Sequence, residues 1–137
     1  SDKADVARLI QQKVESGDFT FVATFASSLE FKSVNLTSYY DFKVHNDTIK
    51  ANLPYFGRAY IASYNSNEGG INFTSTKFDY SVKSGKRNGN WLINIKTLDT
   101  ERAFDILIDC WENGNATMTV NDPNRQSINF NGEILSK

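Results

Sequence analysis

The residue types that carry most protein chemistry are scarce in this chain of 137 residues, which has one histidine, His45, and one cysteine, Cys110. A Ser-His-Asp triad needs a histidine oriented by a buried carboxylate, whereas His45 stands beside Asn46 and Asp47 in a predicted hairpin turn. Cys110 lies on the apolar face of a predicted strand, where a thiol is inert. A single cysteine excludes disulfides within the chain and multi-cysteine metal sites, and a single histidine excludes histidine-pair zinc sites.

Carboxylates that share a strand face are also poorly spaced for catalysis. Asp105 and Asp109 are four residues apart on one predicted strand, which separates them by about 13 Å at about 3.3 Å per residue. That distance exceeds both glycosidase geometries. The loop 65–70 contains one acidic side chain, Glu68, and lacks the EF-hand spacing, so the pattern favours an ordinary turn over a calcium site. We therefore predict no catalytic residue, no metal site and no cofactor.

The most unusual segment is aromatic and irregular, and it follows Pro54. Tyrosine and arginine are common anchors of binding surfaces. One interpretation is a ligand site in this segment; the other is that the aromatic side chains plug one end of the fold while the arginine pairs with a carboxylate. The candidate ligand-binding residues are Tyr55, Phe56, Arg58, Tyr60 and Tyr64.

The spacing of apolar residues predicts the helix and strands that position these residues. Residues 2–16 place Val6, Leu9, Ile10 and Val14 at helical spacing, and Gly17 is a natural helix end. After Gly17 the period becomes two, as in half-buried strands. We therefore predict a single domain over 1–137, with an N-terminal helix in 1–17 and an antiparallel β-body in 18–137.

Turn residues divide the β-body into about eight to ten short strands. Asn46 and Asp47 form one tight turn, and Asn113-Gly114 predicts a type I′ turn with positive φ at both residues. The strands alternate apolar and polar positions, with no βαβ rhythm. A meander of this length hides its edges by closing as a barrel, similar to a lipocalin, or by folding into a flattened sandwich. The expected fold class is all-β with one N-terminal α-helix.

Composition narrows the function classes further. Fifteen basic and sixteen acidic residues give a net charge of −1, whereas a nucleic-acid binder normally carries a basic excess. No apolar run approaches the roughly 20 residues of a membrane-spanning helix. We therefore expect no nucleic-acid partner and no transmembrane segment.

Several strings carry a resemblance to a known family. They are NDT at 46–48, LPYFGRAY at 53–60, EGGINFTS at 68–75 and NRQSINFNG at 124–132. These segments resemble the bacterial family called domain of unknown function 4251. The resemblance implies an exported protein of the periplasm or outer membrane, with a signal segment or a lipid anchor upstream of this chain. It brings no established catalytic or binding residues.

The leading expectation is a non-enzymatic exported module that binds a small apolar or glycan-like ligand, or a protein partner, in the cell envelope. The first alternative is a hydrolase of the envelope that uses clustered carboxylates, which predicts a carboxyl pair in a cleft with raised pKa. The second is a purely structural or assembly protein, which predicts an exposed apolar patch.

Overall fold

The protein is described here by a computed structural model that places residues 2–28, 33–54, 70–101, 103–123 and 125–136. In these ranges it forms one helix followed by nine strands. The helix is α1 (Asp2–Ser16), and the strands are β1 (Phe19–Ser27), β2 (Val34–His45), β3 (Thr48–Leu53), β4 (Ile71–Ser75), β5 (Phe78–Ser84), β6 (Asn90–Thr97), β7 (Asp105–Trp111), β8 (Asn115–Asp122) and β9 (Arg125–Ile134).

The helix begins and ends where the sequence predicts. Ile10 and Val14 are buried and Val6 is half-buried, as expected for the apolar stripe. Leu9 departs from that prediction, because it stands at the side of the stripe and is 38% exposed. Gly17 ends the helix with a φ of 71°, a left-handed conformation that glycine adopts without a steric penalty.

All nine strands belong to one sheet in the order β4-β3-β2-β1-β9-β8-β7-β6-β5, and every neighbouring pair is antiparallel. The sheet curls into a nearly closed barrel, which confirms the predicted all-β class and selects the barrel over the flattened sandwich. Since neighbours alternate in direction, the two end strands β4 and β5 run in the same direction. They follow each other in the chain with only two residues between them.

The segment from β4 to β5 therefore acts as one bent strand that closes the barrel. Its first part pairs with β3 and its second part pairs with β6. Asp99 holds the bend: its carboxylate accepts hydrogen bonds from the Ser75 hydroxyl at 2.5 Å and from the backbone N–H groups of Thr76 and Lys77 at 2.9 and 3.2 Å. These bonds, led by that of Ser75, lower the pKa of Asp99 from 3.8 to about 2.

Side chains from all parts of the barrel meet in its interior. Among the described residues, most strands bury their inward apolar positions, and α1 adds Ile10 and Val14. The exception is β5, whose apolar residues Phe78, Tyr80 and Val82 are half-buried. The largest fully buried side chains are Phe21, Phe42, Phe130, Ile10, Ile49, Leu53, Ile71, Ile93, Ile95, Ile106, Ile108 and Met118.

Tyr80 attaches the helix to the barrel by a hydrogen bond and also contacts an aromatic ring of β1. The Tyr80 hydroxyl on β5 donates to the carbonyl of Val14 at 2.5 Å, and the Tyr80 ring lies 6.5 Å from the ring of Phe19 at the start of β1. Carbonyls in the last helical turn lack partners within the helix, and this one accepts hydrogen bonds from Tyr80 and from the backbone N–H of Gly17, the latter at 3.4 Å. Of the described helices, none has the length and apolar character needed to span a membrane.

The turn prediction is correct at one hairpin and wrong at the other. Asn46 and Asp47 have φ values of 53° and 59°, the positive pair of a type I′ turn. At the second hairpin only Gly114 has a positive φ, of 95°. Its backbone N–H donates a hydrogen bond to the carbonyl of Trp111 at 2.8 Å. The β7–β8 loop therefore has three residues and ends on a left-handed glycine, because the extra residue lets both strands keep their inward faces in register.

Candidate functional site

The five residues proposed for a ligand site from the sequence lie outside the described residues. Tyr55, Phe56, Arg58, Tyr60 and Tyr64 all fall in 55–69, between β3 and β4. The prediction that they bind a ligand stays a prediction.

His45 is an exposed residue at the last position of β2, beside the hairpin turn as predicted. Its Nδ1 atom is 2.8 Å from a carboxylate oxygen of Asp18, and both side chains are more than half exposed. A solvated pair of this kind lacks the buried, oriented imidazole that a catalytic triad requires.

Cys110 is fully buried on the inner face of β7. Burial first, and the negative charge of Asp109 second, raise the pKa of the thiol to about 12. A thiol that is neutral and shielded from solvent at neutral pH is a poor nucleophile and a poor metal ligand.

Asp105 and Asp109 do not form a carboxyl pair; each accepts a hydrogen bond from an asparagine side chain on the neighbouring strand β6. The Asn94 amide donates to Asp105 at 3.1 Å, and the Asn90 amide donates to Asp109 at 2.6 Å. Within the part of the chain that the structure describes, no group of three or more His, Cys, Asp or Glu side chains is arranged to hold a metal ion.

A cleft of about 790 Å³ lies between the first turn of α1 and the β7–β8 hairpin. Trp111, the last residue of β7, lines the cleft and is 38% exposed. Its position follows from strand alternation, because β7 turns its even-numbered residues inward and Trp111 therefore faces outward. The other lining residues are Asp2, Lys3, Val6, Glu112, Asn113 and Asn115.

The polar side chains at this cleft are held by local contacts. The Asn113 side-chain oxygen accepts the backbone N–H of Asn115 at 2.9 Å, which orients the amide group at the hairpin tip. Glu112 lies against Gly89 of the β5–β6 hairpin, and its backbone N–H donates to the Gly89 carbonyl at 2.8 Å. The cleft therefore combines one broad aromatic surface with amide and carboxylate groups at its rim.

A second surface lies on the outer side of β2, β3 and β4, of which β2, the nearest to β7, is four positions away from it in the sheet. Lys43 and Lys50 are direct partners across β2 and β3, and together they line two adjoining clefts. Asn52 is likewise opposite Asn72, and Lys50 is opposite Thr74. We call these five residues the lysine face.

Acidic and aromatic side chains border the lysine face on β2. Asp41 is 8% exposed, and its carboxylate is 3.5 Å from the ammonium group of Lys43. Desolvation first, and the nearby Asp41 carboxylate second, raise the pKa of the Tyr39 hydroxyl above its usual value, while 61% of the Tyr39 surface is exposed.

Sequence reasoning missed both surfaces, although each had a signal. Trp111 occupies an outward position at a strand end, next to a turn, where an aromatic residue has no core to fill. The pairing of Lys43 with Lys50 follows from the two-residue turn at Asn46 and Asp47, because such a turn fixes the register of the strands it joins.

Comparisons with known proteins agree with this fold. Among curated proteins no match is found. The chain is similar to a crystal structure of a DUF4251 family protein from Bacteroides eggerthii, with a TM-score of 0.69 and 17% sequence identity, over 95% of this chain and 87% of that one. The signature of the family described as "Domain of unknown function (DUF4251)" matches residues 2–134. The chain therefore belongs to the DUF4251 family.

Proposed function

We propose that this protein is a non-catalytic binding module that holds a small ligand, such as a sugar, in the cleft beside Trp111. The observation that carries the proposal is the exposed indole in a concave site. Burying an aromatic ring stabilises a complex strongly, and Trp is among the residues that dominate binding energy at interfaces. A partly exposed Trp at a cleft therefore offers apolar surface that a bound ligand can bury.

The chemistry around Trp111 favours a ligand with one apolar face and several hydroxyl groups. The ring of Trp111 and the half-buried side chain of Val6 supply an apolar surface. Asn113 and Asn115 carry amide groups that both donate and accept hydrogen bonds. A pyranose ring has this combination, since its C–H face packs on an aromatic ring while its edge hydroxyls reach amides.

A binding role is favoured over the hydrolase alternative by the state of the groups that catalysis would use. The one thiol is buried, the histidine at 45 is solvated, and Asp99 has a lowered pKa, whereas a general acid needs a raised one. Asp2 and Glu112 both line the cleft, so hydrolysis of a bound saccharide is measured alongside binding.

The proposal includes export to the periplasm or attachment to the outer membrane, through a signal or lipid anchor upstream of this chain. It is supported by membership of a family whose members resemble exported envelope proteins. Fractionation of cells that make the full-length protein tests it, and recovery in the cytoplasmic fraction would contradict it.

An envelope protein that inserts a side chain against Trp111 is the alternative occupant of the cleft.

Titration of the protein with a panel of neutral oligosaccharides tests the binding role. Intrinsic fluorescence identifies the best ligand, because Trp91, the other tryptophan, is only 8% exposed. Titration calorimetry then compares the variants, because Trp111→Ala removes the fluorescent reporter of the cleft. We expect Trp111→Ala to weaken the best ligand by roughly tenfold or more. Leu107→Ala is the matched control, because Leu107 is an exposed apolar residue on the same face of β7. Undiminished affinity of Trp111→Ala would overturn the proposal, and cleavage of the saccharide would replace it with the hydrolase.

A further inference from the structure

We propose that the lysine face binds an acidic polysaccharide, with Lys43 and Lys50 receiving its carboxylate or sulfate groups. This site is separate from the Trp111 cleft, and the proposal does not depend on the function assigned to that cleft. It starts from the direct pairing of two lysines across neighbouring strands.

Like charges directly opposite each other destabilise a sheet. The same chain shows the opposite arrangement elsewhere: Lys96 on β6 has Asp79 as its partner on β5 and Asp105 as its partner on β7. Thus Lys96 lies between two carboxylates, whereas Lys50 lies between Lys43 and Thr74. Functional surfaces are among the places where a sequence departs from the local rules of stability.

The charge on the lysine face is only partly compensated. Asp41 is 3.5 Å from Lys43. Among the ion pairs formed by described residues, none involves Lys50. The whole chain carries a net charge of −1, so this cationic spot does not arise from a generally basic composition. Lys50 is therefore the stronger anion-binding residue of the two.

Neutral donors surround the lysines and suit a hydroxyl-rich ligand. The cleft beside them is lined by Asn52, Asn72 and Thr74, which offer amide N–H and hydroxyl groups. A second cleft continues the surface past the same lysines to Thr48 and Asn46. An extended chain of sugars can therefore pass over the lysines and find hydrogen-bonding groups on both sides of them.

Two other polyanions fit this surface less well. Binding of duplex DNA typically engages about six to ten phosphates with basic side chains, and an anionic membrane surface typically attracts clusters of about four to eight basic residues. The lysine face presents two lysines, one of them paired with Asp41. Tyr39, exposed on the same side of β2, adds an aromatic ring of the kind that packs on sugars.

The test is titration of the protein at low salt with polygalacturonate and with dextran sulfate, using uncharged dextran as the neutral polymer. We expect the acidic polymers to bind and the neutral polymer not to bind. Lys50→Gln should weaken binding by roughly tenfold, the scale of one charge-assisted hydrogen bond, and Lys43→Gln should weaken it less. Asp41→Asn should strengthen binding, because it removes the carboxylate that partly neutralises Lys43.

Lys96→Gln is the matched control, because it removes the same charge from another outward position and should leave the affinity unchanged. Melting temperatures separate binding from folding: Lys50→Gln should melt no lower than the parent protein, since it relieves a repulsion. Equal losses in Lys96→Gln and Lys50→Gln, full affinity of Lys50→Gln, or no binding of either acidic polymer would overturn the proposal. Equal binding of duplex DNA or anionic vesicles would do so as well. Trp111→Ala should still bind the acidic polymers, which distinguishes this site from the cleft.

Discussion

Gly132 lies where β9 approaches β1 so closely that a side chain has no space. A Cβ atom added at Gly132 would lie 1.9 Å from the carbonyl oxygen of Val22 and 3.0 Å from the Cα atom of Ala23. Both obstacles are backbone atoms of a central strand, so they cannot move away as the end of a flexible side chain would. Gly132 is paired with Ala23 on β1 and with Ala116 on β8, and a shift therefore disturbs two ladders.

We expect Gly132→Ala to lower the free energy of unfolding by about 3 kcal/mol, the upper part of the usual range for overpacking. In a chain of 137 residues this corresponds to a fall in melting temperature of about 10 °C. Calorimetry together with denaturant unfolding measures both quantities.

Gly17→Ala is the control for the general effect of replacing a glycine. A Cβ atom there would lie 3.7 Å or more from the Tyr80 ring, an ordinary contact, and only the φ of 71° opposes the change. That strain costs about 1 to 2 kcal/mol. A Gly132→Ala protein as stable as Gly17→Ala, or more so, would refute the close approach of β9 to β1.

Two further predictions concern the hydrogen bonds that join distant parts of the chain. Tyr80→Phe removes the bond to the Val14 carbonyl and should lower the free energy of unfolding by about 1 kcal/mol, measured by denaturant titration. Tyr39→Phe is the control and should change this free energy by less, because the Tyr39 side chain is 61% exposed. Equal effects of the two substitutions would contradict the docking of the helix through Tyr80. Asp99 has a lowered pKa, so its contribution to stability is fully present above pH 3.8, its unfolded-state pKa, and is lost as the pH falls towards 2. Melting temperatures between pH 6 and pH 2 should therefore fall less steeply for Asp99→Ala than for the parent protein, and parallel curves would show that the Asp99 contacts do not stabilise the bend.

Local patterns predict local structure well in this chain. The helix, its end at Gly17 and the hairpin at Asn46 and Asp47 all follow from periodicity and turn chemistry over a few residues. The loop at Asn113 and Gly114 differs by one residue, because the choice between a two-residue and a three-residue hairpin is decided by the register of the flanking strands, and this register depends on the core.

The choice between a closed barrel and a flattened sandwich could not be made from the sequence, because its determinants are far apart in the chain. Asp99 secures the bend at Ser75 from 24 residues away. Tyr80 meets the helix 66 residues before it in the chain. Such contacts form only once the topology exists, and no short motif encodes them.

The candidate sites also depend on contacts between residues that are far apart in the chain. The side chains of the lysine face are exposed polar residues that any outward strand position could carry, and they become informative only when the register pairs Lys43 with Lys50. Trp111 becomes informative only when the first turn of α1 lies beside it and forms a cleft. Residue type and spacing along the chain predict which side chains lie on the inner or outer face of a strand. Tertiary contacts determine which of these side chains become neighbours.

Stability and binding should be separable in this protein because they use opposite faces of the same strands. Inward positions such as Ile108 on β7 are fully buried and fill the barrel, so changing them alters packing. Outward positions such as Trp111 and Lys50 contribute little to that core. Substitutions there are expected to change ligand affinity with small effects on the free energy of unfolding. Combining Lys50→Gln with Gly132→Ala should give additive stability changes, because two strands, β2 and β1, separate Lys50 on β3 from Gly132 on β9. A strong coupling between Lys50→Gln and Gly132→Ala would mean instead that the outer face and the core respond as one unit.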